Sequence, residues 1–277
     1  MGLLKEAKKR LEISSKDLDK DNKIKTVLDD IIGILRQNKG VILLNELSDK
    51  LKISKEEVEN WVRILADHDI LQINYPTNIF SNPELILRKK PKLIEEKHDT
   101  EKPMESYDVE ADHVKAKVSI LPKKNEIVPV YHLKIPAIPL GTGALLNQIA
   151  QELTDKIPVS IDDINEQSRL IELKNKIFFE IKKAFFDKEI KLSEEKLNFL
   201  SGIILHRIYG LGNIEIIMSD PFIEEVVLNN AEYPISIYHR KYGWLKSNVR
   251  IRDEEQIYNI VAQIGRKVGR EITALNP

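Results

Sequence analysis

Apolar residues recur at three- and four-residue intervals along much of the chain, and a few polar or charged stretches interrupt the recurrence. From Asn22 to about Gln37, Ile24, Val27, Leu28, Ile31, Ile32 and Leu35 share one stripe, which predicts an amphipathic helix with one face toward a core. "NKG" ends it. "VILLNELSDKLKIS" predicts a short apolar entry and a second helix over about Asn45 to Leu51. Ser54 has Glu57 three residues on, a capping box that opens a third helix through Val58, Trp61, Val62 and Leu65. "ILQINY" and "ELILRK", parted by the turn-rich "PTNIFSNP", predict the two strands of a hairpin. Three helices and a hairpin over residues 21–90 make the plan of a winged helix. Ahead of it, Leu3, Leu4, Ala7 and Leu11 lie at helical spacing with Lys8, Lys9 and Arg10 between them, so residues 1–20 predict a short helical segment.

Lys89 to Ser106 is charged, carries two prolines and has almost no periodicity; residues 91–106 are assigned to a linker. Residues 107–191 then predict a strand pair and helices. "AKVSIL" and "IVPVYHLKI" alternate as strands around the polar "PKKNE" turn, and "PAIPLGTG" leads into a helix from Ala144 to Lys156. Ile161 to Phe186 is a long helix with Ile164, Leu170, Leu173, Ile177, Ile181 and Phe185 along one stripe. Residues 192–277 open with a helix capped by Ser193 and stopped by Gly210. A strand in "IEEVVLNN" follows, then "ISIYH" and "WLKSN" paired around "RKYG", and a final helix from Asp253 to Val268 whose core stripe is Ile257, Ile260, Val261, Ile264 and Val268. The fold class expected is α+β, in several domains.

The chain of 277 residues is long enough for two or three domains. It is 31% charged with a formal net charge of −1, so no global field favours nucleic acid or an anionic membrane. Cysteine is absent, which excludes disulfides and thiolate chemistry and predicts a cytoplasmic, reducing location. The apolar runs fall short of the roughly 20 residues of a spanning helix, and the N-terminus has no secretory h-region.

Local chemistry is sparse. In the winged-helix segment Lys55 and Arg63 are outweighed by Glu56, Glu57, Glu59, Asp67 and Asp69, which opposes phosphate contacts and argues against nucleic acid as a partner. "LGTGALL" and "YGLGN" hold glycine pairs but no lysine of a phosphate-binding loop, so Gly141 and Gly143 are read as a turn and helix entry. His113, His132, His206 and His239 lack the spacing of paired ligands, and no metal site is expected. Glu224 and Glu225, adjacent in a strand, are expected on opposite faces. Trp61 and Trp244 are expected to pack in the core or on the hairpin.

The segment "LHRIYGLGNIEIIMSDPFIEEVVLNN", followed by "PISIYHRKYGWLKSNVRIRDEEQIYNIVAQIGRKVGREITALNP", resembles the N-terminal domain of the type II/IV secretion and pilus-assembly ATPases, the archaeal branch in particular. The resemblance runs from about Leu192 to Pro277 and extends less specifically back to Tyr107. It implies the N-terminal, non-hydrolytic part of a hexameric ATPase. A small mixed α/β domain would there clasp ATP, with Mg, against a RecA-like core whose hydrolytic residues are not among these. It implies docking to a membrane platform protein, at the inner face of the cell membrane, and assigns no catalytic residue. Arg240 at the hairpin turn, and Arg266 and Arg270 near the last helix, are the residues it offers to meet nucleotide phosphates, for which a guanidinium fork is suited. A DNA-binding regulator built on the winged helix, and an adaptor without nucleotide contact, are the alternatives.

Overall fold

A computed structural model describes residues 23–76, 82–88, 102–123, 126–156, 167–208, 211–251 and 253–267. The fold is α+β. Residues 1–22, most of the expected linker, residues 157–166 with the expected start of the long helix at Ile161, Gly210, Val268 and Arg270 lie outside the described residues. The chain divides into two compact units, each described by itself. The first lies within Met1–Glu96, Ala137–Glu152 and Lys182–Lys196, the second within Lys97–Pro136, Leu153–Ile181 and Leu197–Pro277.

In the first unit helix α1 spans Val27–Gln37, and strand β1, Val41–Leu43, leads into α2, Leu44–Leu51, and α3, Lys55–Asp67. Strands β2, Leu71–Asn74, and β3, Glu84–Leu87, follow. The three strands form an antiparallel sheet in the order β1-β3-β2. The first helix starts later than its stripe suggests. Lys23 forms a parallel bridge to Ala137, Ile24 N–H donates to Ala137 O at 3.0 Å, and Thr26 is the N-cap, so residues 23–26 make no helical turn. Ser54 caps α3: Glu57 N–H donates to Ser54 Oγ, and Ser54 N–H donates to the Glu57 carboxylate, each at 3.2 Å. Leu28, Ile31, Leu35, Leu47, Val58, Leu65 and Leu85 are fully buried. Trp61 is buried with them, and its indole N–H donates to Lys188 O at 2.9 Å, as a buried indole requires.

Helix α4 spans Leu140–Lys156 and its first turns belong to this unit. "LGTG" is therefore its opening turn and not a lead-in loop. The amide groups of Gly141 and Thr142 donate to the two oxygens of Asp29 at 2.7 and 3.1 Å, so a carboxylate from α1 caps α4. A Cβ at Gly141 would lie 2.7 Å from the backbone of Leu28, which explains why glycine stands there.

In the second unit strand β4 runs Glu105–Ala111, β5 Val114–Lys123 and β6 Glu126–Lys134. Helix α5, Gln167–Asp187, belongs to this unit up to Ile181, helix α6, Glu194–Ile208, from Leu197 on, and the short α7, Asn213–Met218, entirely. Strands β7, Ile223–Val227, β8, Ser236–His239, and β9, Gly243–Ser247, precede helix α8, Glu254–Lys267. A single six-stranded mixed sheet takes the order β4-β5-β6-β9-β8-β7, with β6 parallel to β9 and the other pairs antiparallel. It joins strands from both sides of the boundary expected at residue 192. Strand β4 has no counterpart in the sequence reading, which placed Glu105 and Ser106 in the linker. Its outward acids Asp108 and Glu110 obscure an alternation that buries Val109 and Ala111.

Two further expectations change. Ile260 is buried in α8, but Val261 and Ile264 are 38% and 40% exposed, so the stripe is only partly covered. Glu224 and Glu225 are both exposed, because a register shift between Ile223 and Glu225 breaks the alternation of faces. Trp244 packs edge-on against Tyr238 across the hairpin, with the ring centroids 5.3 Å apart.

The β4–β5 hairpin turns on Asp112 and His113, whose φ angles of 46° and 67° give the two left-handed central residues of a tight turn. Neither is glycine, so the conformation must be held from outside. Lys174 Nζ from α5 meets the Asp112 carboxylate at 3.0 Å and His206 Nε2 from α6 meets it at 3.2 Å. Helix α6 lies so close to the turn that a Cβ at Gly202 would fall 2.1 Å from Asp112 O. The hydrogen bond from His206, against the opposing effect of burial and with help from Lys174, holds the Asp112 carboxyl down at about 2.

Gly202→Ala cannot be accommodated by a side-chain shift alone, since the obstacle is backbone. It should cost about 3 kcal/mol or more in chemical denaturation. The Asp112 pKa lies below its unfolded value of 3.8. Its contribution of about 2 kcal/mol should therefore be full above pH ~4 and vanish as pH falls through about 2. Denaturation of wild type and Asp112→Asn between pH 7 and 2 should show the gap between them closing in that window.

Candidate functional site

Helix α7 ends at a four-residue turn, Ser219-Asp220-Pro221-Phe222, before β7 begins. Proline stops the helix and has no N–H to satisfy, and an aspartate two residues before an amide can cap that amide with its own side chain. Phe222 N–H donates to Asp220 Oδ1 at 2.9 Å. Asp220 is 2% exposed, and a buried carboxylate needs donors for both oxygens. They come from the sheet: Tyr107 on β4 and Tyr131 on β6 each donate a hydroxyl to Oδ2 at 2.8 Å. Burial, reinforced by the carboxylate, raises both tyrosine pKa values, so the hydroxyls stay protonated and donating.

His239, the last residue of β8, extends the network. Its ring stacks on Phe222 at 5.7 Å, and Phe222 meets Tyr107 edge-on at 5.1 Å. Lys241 N–H donates to His239 Nδ1 at 3.1 Å, and His239 Nε2 lies 3.3 Å from the Tyr107 hydroxyl oxygen. The proton of Tyr107 points to Asp220, so its oxygen is an acceptor and Nε2 carries the imidazole proton. The bonds run in one direction, from His239 Nε2–H to Tyr107 to Asp220. Burial lowers the His239 pKa against the pull of Asp220 and Glu105, with Lys241 adding to the depression.

The network underlies the β8–β9 turn, residues 240–242. Arg240 N–H donates to Phe222 O at 2.8 Å, and the Arg240 guanidinium meets Glu224 through Nε at 3.1 Å. Lys241 Nζ meets Glu105 at 2.9 Å, and Tyr242 Oη donates to the same carboxylate oxygen at 2.6 Å. These bonds hold the Glu105 carboxyl below, and the Lys241 ammonium above, their ordinary ranges. The site thus presents two cations on a tip whose backbone is fixed from beneath. Side chains 65% and 46% exposed form the Arg240–Glu224 pair, so water screens it.

Of the three arginines singled out by the sequence, Arg240 stands at the tip. Arg266 lies in the last turn of α8 with a side chain outside the described residues, and Arg270 lies wholly outside them. Tyr107, Tyr131 and Asp220 escaped the sequence reading, and His239 entered it only as a histidine without ligand spacing, although "DPF" after a helix signals a side-chain-capped turn. The glycine pair in "LGTG" offers no anion seat, because Asp29 fills it. Among the described residues no group of three or more His, Asp or Glu is placed to hold a metal ion, and no helix is long and apolar enough to cross a membrane.

No family model matches the chain. Its curated relatives include three proteins of the archaeon Methanocaldococcus jannaschii, each described only as an uncharacterized protein. MJ1288 is 26% identical over 132 residues, which covers 48% of this chain and 50% of the relative. MJ0900 is 26% identical over 143 residues, covering 48% of this chain and 26% of the relative. MJ0781 is 25% identical over 180 residues, covering 63% of this chain and 22% of the relative. The chain thus matches half or less of each relative's length.

The network makes the cost of truncation unequal. Asp220→Ala leaves two buried hydroxyls and an amide without their acceptor and should destabilise by about 3 kcal/mol, whereas Tyr131→Phe removes one donor and should cost about 1 kcal/mol. Urea denaturation of the two variants tests the ranking, and equal losses would contradict it.

Proposed function

We propose that the chain is the N-terminal, non-hydrolytic portion of a type II/IV secretion or pilus-assembly ATPase, serving assembly, partner docking and the clasping of nucleotide. The observation that carries the reading is the hairpin tip. Arg240 sits on a backbone tied to the "DPF" turn, and its ion pair with Glu224 is open to water. In this reading ATP with Mg binds only where the chain meets a RecA-like core outside these residues, and Arg240 supplies charge to the phosphates without acting as acid or base. Arg266 and Arg270 are assigned the same task on sequence position alone. Six copies would form a ring that works against a membrane platform protein at the cytoplasmic face.

The first unit supports an N-terminal winged helix. Its order of helix, strand, two helices and two strands, with β3 between β1 and β2, is the topology such a domain requires. Arg63 in α3 is paired with Glu59 at 2.6 Å, and the acids around it favour a protein contact over phosphate binding.

The test is to add the full chain to a purified RecA-like core of a secretion ATPase and measure ATP hydrolysis. The chain should stimulate the core, and Arg240→Ala should lower that stimulation at least about tenfold. No stimulation would remove the reading, and stimulation untouched by Arg240→Ala would remove Arg240 from it.

A further inference from the structure

We propose that His239 is a proton-operated latch on the hairpin tip: neutral, it holds the tip closed by accepting the Lys241 amide, and protonated, it releases that amide. The inference concerns the chain alone and does not depend on the ATPase reading. His239 is 1% exposed, and both of its ring nitrogens are engaged. Nδ1 faces the N–H of Lys241 at 3.1 Å and Nε2 faces the Tyr107 oxygen at 3.3 Å. An imidazole has one lone-pair nitrogen when neutral and none when charged. Taking up a proton at Nδ1 would set an N–H against the Lys241 N–H, two donors without an acceptor, so ring and turn cannot both stay where they are.

The groups around the ring decide which way the balance tilts. Asp220, in the turn after α7, and Glu105, on β4, favour the charged ring. The Lys241 ammonium opposes it, and so does burial among Phe222, Tyr107 and Tyr242. Tyr131, on β6, carries no charge because burial keeps its hydroxyl protonated. Burial is the largest influence, so the ring charges only below the range of an exposed histidine. The sign follows. A base with a folded pKa below its unfolded value leaves the unfolded chain holding more protons, so stability is full above the unfolded value and falls as pH drops through it. Once charged, the ring keeps its Nε2–H on Tyr107 and gains attraction to Asp220, while the Lys241 amide is lost to solvent. The tip that carries Arg240 and Lys241 is then tied by fewer bonds: Arg240 N–H to Phe222 O, Tyr242 N–H to His239 O, and the Glu105 contacts.

Two NMR measurements on the full chain test this. Imidazole nitrogen spectra should show His239 as the Nε2–H tautomer at neutral pH. Amide exchange should show the Lys241 N–H losing about tenfold in protection, the worth of one hydrogen bond, as the ring charges at lower pH. His239→Asn supplies the control, since its Oδ1 can cap the Lys241 amide as Nδ1 does but cannot titrate. That variant should keep its Lys241 protection across the same range. An Nδ1–H tautomer, a Lys241 amide indifferent to protonation of the ring, or the same loss in the Asn variant would each overturn the latch. Should the variant fail to fold, the wild-type tautomer and the coincidence of the two titrations decide alone.

Discussion

A carboxylate with almost no access to water cannot be left short of donors, and Asp220 meets that demand from three separate parts of the chain. Its own turn supplies one amide, and strands β4 and β6 supply one hydroxyl each. Desolvating a charge costs several kcal/mol unless such bonds are complete. The arrangement therefore couples the end of α7, the entry to β7 and two strands that are not neighbours in the sheet. His239 and Phe222 extend the same constraint to the β8–β9 turn, so the basic tip inherits its position from a buried acid that never reaches the surface.

The same device recurs elsewhere with different partners. Asp112 keeps two non-glycine residues in a left-handed turn because a lysine and a histidine from two helices hold its carboxylate. In the first unit Asp29 caps the start of α4 from another helix, occupying the amides that a phosphate-binding loop would offer to a ligand. In each case a short acidic side chain satisfies backbone or side-chain donors far from it in sequence.

These interactions bear on function through what they leave exposed. The tip presents Arg240 and Lys241 in ion pairs open to water. Helix α8 leaves Tyr258, Val261 and Ile264 half uncovered. The proposed His239 latch would make the firmness with which that tip is held depend on proton concentration.

Much of the fold was legible in the chain. Helical stripes such as Leu28, Ile31, Ile32 and Leu35, the Ser54 cap and the hairpin around Arg240 follow from spacing and turn chemistry, which act over a few residues. Strand β4 was hidden because acids on its outer face outweighed a short inward alternation. The site was legible only in part: Arg240 could be placed at a turn tip, but nothing local joins Tyr107 and Tyr131 to Asp220, 113 and 89 residues away. The sequence by itself determined where helices and hairpins form and which residues carry charge. Only the tertiary structure decided which carboxylates are buried, which distant donors complete them and how much of the α8 stripe is covered, because desolvation and hydrogen-bond completion depend on neighbours brought together by folding and not by spacing along the chain.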